Sequence, residues 1–100
     1  MKLHHSEGVL VVTGLQELNA TNAASIRDGV RGAVTSEVTG VDIDLSKTRF
    51  VDSSGLGALI AIHKLMLARG GHVRVLNPIP AVEQVFEVTR LNRLFEVVKI

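Results

Sequence analysis

The sequence contains no cysteine, no tryptophan and no tyrosine, and its only aromatic residues are three phenylalanines. Without cysteine the chain can form no disulfide, thiolate nucleophile or cysteine-based zinc site, which agrees with a reducing compartment. Three aromatic residues are also too few for a platform on which nucleic-acid bases stack.

Neither a surplus of one charge nor a long apolar run is present. The 11 basic and 10 acidic residues give a formal net charge of +1 and form no basic stripe, so nucleic-acid binding is not expected. No apolar run approaches the roughly 20 residues that span a bilayer, and the N-terminal MKLHHSEG lacks the apolar stretch of a signal peptide. We therefore expect a cytoplasmic protein that does not enter a membrane.

The remaining composition is that of a globular domain. Hydrophobic residues make up 46% of the 100 positions and charged residues 21%, which is well away from the composition of disordered chains. No linker-like segment or internal repeat divides the sequence. We therefore expect one domain over residues 1–100.

Several segments carry the pattern of β-strands. The glycine-bounded, β-branched run at 8–14 predicts a strand, and residues 2–5 are expected to pair with it across a turn. The segment 41–45 (VDIDL) alternates apolar residues with two aspartates, and 72–76 (HVRVL) alternates similarly. The tail at 94–100 is expected to be a final strand or a packed extension.

Three helices are predicted between these strands. Asn19, Thr21 and Asn22 are capping residue types, and the apolar residues that follow them have helical spacing. A second helix is predicted from Gly55 to Arg69, with Gly-Gly as its stop signal, and Pro80 suits the first turn of a short third helix. Alternating strands and helices predict an α/β domain whose mixed sheet is parallel where helices form the crossovers.

The stretch RFVDSSGLGALI (49–60) interrupts an apolar run with one carboxylate, two hydroxyls and two glycines. Ser53 and Ser54 fall at the turn from strand to helix, where a hydroxyl can cap free N–H groups. The glycines fit neither a phosphate-binding loop nor a dinucleotide loop, whose third glycine is replaced by Ile60. Val51 stands where a serine-hydrolase elbow needs glycine, so a serine nucleophile is not supported.

The four histidines do not suggest a catalytic or metal site. His63 falls on the apolar side of the second predicted helix, where it is expected to be a partly buried core residue. The adjacent His4 and His5 would point to opposite faces of a strand, which is poor geometry for joint metal binding. We expect no metal and no cofactor.

One chemical role uses every residue of the stretch. A serine at a helix N-terminus can accept a phosphoryl group, because the charge of about −1.5 to −2 meets the positive end of the helix dipole and its free N–H groups. Gly55 and Gly57 would leave little side-chain cover over the hydroxyl, and Asp52 could orient it. Phosphorylation would leave the fold intact and would make the surface around the serine negatively charged.

DLSKTRFVDSSGLGALI resembles the Asp-Leu-Ser…Phe-x-Asp-Ser-Ser/Thr-Gly-Leu-Gly pattern of the STAS domain, in its stand-alone form the bacterial anti-sigma factor antagonist. GLQELNATNAASIR and GGHVRVLNPIPAVEQVFEVTRLNRLFEV resemble further segments of that family, so the resemblance covers nearly the whole chain. It implies a mixed β-sheet with helices packed mainly on one face, in βαβαβα order after an N-terminal strand pair.

The resemblance implies a partner switch rather than an enzyme. The unmodified protein would bind an anti-sigma factor that is also a serine kinase, phosphorylation of Ser53 would end the binding, and a PP2C-type phosphatase would restore it. Asn19 stands where the family often carries Asp, so a charge contact with the kinase is expected to be absent. The implied partner-binding residues are Asn19, Thr21, Asn22, Asp52, Ser53, Ser54, Gly55, Leu56 and Gly57.

Other functions on the same scaffold stay open at this point. The domain could be a docking subunit of a lipid-transport ATPase, a stressosome-like assembly, or a secretion or biofilm regulator, with Ser53 acting only as a cap. An enzyme that uses Ser53 is a third class. Little room is left before Ile100 for the C-terminal helix of many relatives, so the last layer is expected to be thinner or completed by a partner.

Overall fold

The computed structural model describes residues 1–100 as a mixed β-sheet with helices on one face. Its strands are β1 (Lys2–Ser6), β2 (Val9–Thr13), β3 (Glu17–Leu18), β4 (Gly40–Asp44), β5 (Phe50–Val51), β6 (His72–Leu76) and β7 (Glu96–Val98). Its helices are α1 (Ala23–Ala33), α2 (Ser53–Leu67), α3 (Pro80–Val88) and a short 3-10 helix (Leu91–Arg93).

The five-stranded sheet has the order β1-β2-β4-β6-β7. β1 and β2 are antiparallel, and the other neighbours are parallel. From β2 onward each crossover helix leads to the next strand in the same direction across the sheet. Connections between parallel strands are almost always right-handed. Because the strand order from β2 to β7 never changes direction, all three crossover helices lie on the same face of the sheet. The expectation of helices mainly on one face is confirmed.

The core lies between that face of the sheet and the helices. Alternating residues of the central strands are fully buried, as the pleat of a strand requires. They form one cluster with apolar side chains from all three helices and from Phe95. The sheet and helix members of this cluster are Leu10, Val12, Val41, Ile43, Val73, Val75, Ile26, Val30, Leu59, Ile62, Met66, Val82 and Phe86.

The predicted N-terminal strand pair is a tight hairpin. Ser6 pairs with Val9, so only Glu7 and Gly8 form the turn. Both have positive φ, 50° and 83°, which is the conformation of the two-residue hairpin turns whose twist matches the flanking strands. The glycine therefore occupies a position where its conformational freedom is needed.

The opposite face of the sheet carries a paired charge at its centre. Asp42 on β4 is directly opposite Arg74 on β6, and the guanidinium donates from Nε to Oδ1 at 2.9 Å and from Nη2 to Oδ2 at 2.7 Å. Asp42 is only 6% exposed although no helix covers this face. The hydrogen bond from Asp42, followed by its charge, raises the pKa of Arg74 above its usual value.

The predicted helix ends agree with the structure at two places. Gly70 has φ 74°, and the N–H of Gly71 donates to the carbonyl of Met66 at 2.8 Å, so the two glycines end α2 as predicted. Pro80 occupies the first turn of α3, also as predicted. No helix in the structure combines the length and the apolar character needed to span a membrane.

Two predictions about the second helix were wrong. The helix begins at Ser53 rather than Gly55, because Asp52 caps it two residues earlier than expected, and it ends at Leu67 rather than Arg69. Leu67, an apolar residue at the end of the helix, is 63% exposed. The helix is apolar around most of its circumference, so spacing alone does not identify its buried face.

Candidate functional site

The candidate site begins at Asp52, which caps α2. Its Oδ1 accepts a hydrogen bond from the N–H of Gly55 at 2.9 Å, and its Oδ2 accepts one from the N–H of Ala20 at 3.2 Å. The carboxylate thus joins the start of α2 to the loop that leads into α1. The prediction that a serine hydroxyl caps this helix was wrong, because the aspartate at the N-cap position reaches the third N–H group itself.

Ser53 and Ser54 are the first two residues of α2, and both are exposed. The first regular helical bond after the cap runs from the N–H of Leu56 to the carbonyl of Asp52 at 3.0 Å. The N–H groups of the two serines precede it and have no intrahelical acceptor. Two exposed serines therefore stand beside free N–H groups at the positive end of the helix dipole.

The two motif glycines have different surroundings. Gly55 is buried against β3, where an added β-carbon would lie 2.2 Å from the carbonyl oxygen of Leu18. Gly57 is exposed, and an added β-carbon there would meet nothing within 4 Å. The absent side chain of Gly55 thus has a packing role, because it lets the helix touch the strand. Leu56 between them is half-buried against the core.

The loop before α1 is held by its own side chains. Asn19 Oδ1 accepts from the Thr21 backbone N–H at 3.0 Å and from Thr21 Oγ1 at 2.5 Å. Asn22 Oδ1 accepts from the Asn19 N–H at 3.0 Å, and its Nδ2 donates to the carbonyl of Glu17 at 2.7 Å. Asn22 is the N-cap residue of α1, but its side chain makes no bond to the helix. These polar groups shape the loop rather than cap α1.

A two-stranded ribbon connects this loop to α2. β3 and β5 are parallel, with Glu17 opposite Phe50 and Leu18 opposite Val51. The N–H of Asp52 donates to the carbonyl of Leu18 at 2.9 Å and so continues the pairing up to the start of α2. This β3–β5 ribbon was not predicted, because two-residue strands are too short to show a period. It brings most of the predicted partner-binding residues to one end of the molecule.

The histidines lie apart from the serines. His63 follows Ser53 by ten positions on α2, which is about 15 Å along the helix axis, whereas a general base must be about 3 Å from the proton that it takes. The His63 ring packs edge-on against Phe95 with centroids 5.6 Å apart, in agreement with its predicted packing role. His5 Nε2 lies 2.9 Å from the carbonyl oxygen of Ala33, the last residue of α1. The neighbouring His4 pairs with Val11 of β2.

The comparisons with known proteins identify the family. The STAS domain model matches residues 1–100, so the chain belongs to the STAS domain family. An anti-sigma F factor antagonist from Paenibacillus polymyxa is 26% identical over 98 residues, covering 97% of this chain and 84% of that protein.

Solved structures share the fold. The anti-sigma factor antagonist SpoIIAA in its unphosphorylated form has a TM-score of 0.85 at 25% identity, with 99% of this chain and 86% of that chain covered. The phosphorylated form of SpoIIAA, a cell fate determinant of Bacillus, has a TM-score of 0.75 at 24% identity, with 99% and 89% covered. The fold predicted from the sequence is thereby confirmed.

Proposed function

We propose that this protein is an anti-sigma factor antagonist whose binding to an anti-sigma factor is controlled by phosphorylation of Ser53. The observation that carries the proposal is the position of Ser53: it is an exposed residue and the first residue of α2, beside N–H groups that have no helical acceptor. The relatives agree in kind, since one is named an anti-sigma F factor antagonist and SpoIIAA has been solved with and without phosphate. We take residues 1–100 as one domain, because one core joins the sheet and the helices.

The helix N-terminus accounts for a modification that leaves the fold intact. A phosphate adds about −1.5 to −2 charges, and the dipole and free N–H groups at this end favour negative charge by about 0.3 to 1 kcal/mol for an exposed group. Asp52 stays engaged with Gly55 and Ala20, so the loop and the helix keep their relative position. We expect the modified and unmodified chains to have similar stability.

Binding would respond to the same charge much more strongly. A phosphate that a partner buries without a cation to pair with it costs several kcal/mol, and each 1.4 kcal/mol corresponds to a tenfold change in affinity. The proposed partner surface consists of the residues around the Asp52 carboxylate: Asn19, Thr21, Asn22, Asp52, Ser53, Ser54, Gly55, Leu56 and Gly57. The partner would be an anti-sigma factor with serine kinase activity, and a PP2C-type phosphatase would reverse the reaction.

The experiment starts with purification of the bound partner from the native cell. The partner is then incubated with the chain and ATP, and the modified residue is mapped by mass spectrometry. We expect phosphate on Ser53, none on a Ser53→Ala chain, and normal modification of the matched Ser54→Ala control. Ser53→Asp should weaken partner binding at least tenfold while Ser53→Ala binds like the parent chain.

Three results would contradict the proposal. Phosphate on Ser54 with Ser53 untouched would remove the assigned switch residue. A Ser53→Asp chain that binds as tightly as the parent chain would remove the electrostatic mechanism. Recovery of a transport ATPase subunit in place of an anti-sigma factor would instead make the chain a docking subunit.

A further inference from the structure

A cavity of about 570 Å³ opens at the end of the β3–β5 ribbon that is away from Ser53. It lies where the chain leaves three adjacent parallel strands, β2, β4 and β6, at their carboxyl ends. In parallel sheets this edge is the usual place for ligands. The lining residues are Gln16, Ser46, Lys47, Arg49 and Ile79.

The charged groups of this cavity are all positive. Lys47 and Arg49 are exposed, and neither side chain takes part in an ion pair or hydrogen bond of the structure. Two carboxylates are near in sequence: Glu17 follows Gln16 and is exposed opposite Phe50, and Asp44 lines a smaller neighbouring cavity and accepts from the N–H of Ser46 at 2.9 Å. Neither forms an ion pair with Lys47 or Arg49. The two cations are therefore free to pair with an anion brought by another molecule.

An exposed aromatic ring stands on the ribbon between the cavity and the serines. Leu18 and Val51 face the core, and their neighbours Glu17 and Phe50 are paired on the outward side. Phe50 is 55% exposed, which is unusual for one of only three aromatic residues in the chain. A large ring left in solvent beside two unpaired cations is typical of a surface that binds another protein.

The ribbon also fixes the spacing of these features. At one end the N–H of Arg49 donates to the carbonyl of Gln16 at 2.9 Å, and at the other end the N–H of Asp52 donates to that of Leu18. Three residues of extended chain rise about 10 Å. A protein interface of standard size buries about 800 Å² on each partner, which is wide enough to cover both ends of the ribbon.

We propose that Lys47, Arg49 and Phe50 form a second docking surface, which binds an acidic segment that also carries an apolar side chain. The carboxylates of the segment would pair with the two cations, and its apolar side chain would pack on Phe50. The inference rests on the proposed function in one respect, since the segment belongs to the protein that docks on Ser53. A free small anion fits the exposed ring less well, because it has no apolar group to cover it.

The test uses a defined probe and does not require the native partner. The ¹⁵N-labelled chain is titrated with the peptide Glu-Glu-Leu-Glu-Glu and, separately, with inorganic phosphate, at low and at high salt. We expect the peptide to shift the backbone amides of residues 46–50 and Gln16, with binding that weakens as salt rises. Lys47→Glu with Arg49→Glu should weaken peptide binding at least tenfold.

Matched variants separate the surface from general charge effects and from the switch. Arg93→Glu removes an exposed cation that lies just before the amino end of β7, whereas the cavity lies at the carboxyl ends of the parallel strands. This variant should bind the peptide like the parent chain. The Lys47/Arg49 double variant should keep the parent melting temperature, because neither side chain has a partner to lose. A Ser53→Ala chain should also bind the peptide normally.

Three outcomes would overturn the inference. If phosphate shifts the same amides and the peptide does not, the cavity is a small-anion site. If neither probe shifts these amides, or the double variant binds the peptide like the parent chain, no acidic docking surface exists here. Failure of the Ser53 experiments would leave the peptide result standing, so the two proposals fail separately.

Discussion

A β-carbon on Gly55 would approach the carbonyl oxygen of Leu18 to 2.2 Å, so the first turn of α2 rests directly on the backbone of β3. No side chain fits between them, and real β-carbons do not come so close to a backbone oxygen. Both partners are backbone, so neither can rotate aside. The position of the exposed serines therefore depends on the absence of one side chain.

Gly55→Ala is expected to destabilise the protein by more than about 2 kcal/mol, because the helix must move away from β3 to admit the methyl group. Gly57→Ala provides the control: that glycine is helical, exposed and surrounded by open space, so alanine should stabilise the chain by up to about 1 kcal/mol. Urea unfolding of both variants measures the difference. Two variants of equal stability would contradict the packing argument.

Asp52→Ala should lower the free energy of unfolding by about 1 to 2 kcal/mol, because α2 loses its cap and the loop loses its contact at Ala20. Asp52→Asn keeps an acceptor oxygen and should lose only a fraction of this. Hydrogen exchange should accelerate at the amides of Gly55 and Ala20 in the alanine variant. Unchanged exchange at both amides would show that the carboxylate does not hold them in solution.

Thr48→Val should cost about 1 to 3 kcal/mol although it preserves side-chain shape. Thr48 is fully buried, and its Oγ1 donates to the carbonyl of Leu15 at 2.5 Å, so valine leaves a buried carbonyl without this donor. The same change at the exposed Thr35 should stay within about 0.5 kcal/mol. Thermal and urea unfolding compare the two variants, and similar losses at both sites would refute the prediction.

A double-mutant cycle of Asp42→Ala and Arg74→Ala should give a coupling energy of about 1 kcal/mol, since Arg74 remains partly exposed to solvent. Folding raises the pKa of Arg74, so this ion pair stabilises the fold fully at any pH below the pKa that Arg74 has in the unfolded chain. The stabilisation is lost only as the pH rises through the higher pKa of Arg74 in the folded chain. That window is strongly alkaline. The coupling measured by urea unfolding should therefore not change across neutral pH.

The longer elements could be predicted because each shows a period of its own. The alternation in 72–76 appears as β6, and the stop at Gly70 appears as the end of α2. The location of the candidate site was also predictable, because the motif places its serines where a strand gives way to a helix. The local sequence pattern was sufficient to predict these elements, because their residues and end signals are close together in the sequence.

Contacts between distant segments were not predictable in the same way. Nothing in the sequence shows that Leu18 lies under Gly55 or that the Asp52 carboxylate reaches Ala20. The helix cap was misassigned for a related reason: aspartate and serine are both good caps, and the arrangement of the β3–β5 ribbon decides which side chain reaches the free N–H group. The exposed side of an almost wholly apolar helix likewise depends on its neighbours.

The carboxylate that joins two stretches of chain has a consequence for recognition. Asp52, the residue before Ser53, bonds to Leu18 and Ala20 only after these two distant stretches of chain have come together in the folded molecule. A peptide that contains Ser53, or a nascent chain still on the ribosome, has the same local sequence but lacks the surface formed by the two stretches together. An enzyme that reads the assembled surface would thus modify finished molecules and ignore immature ones.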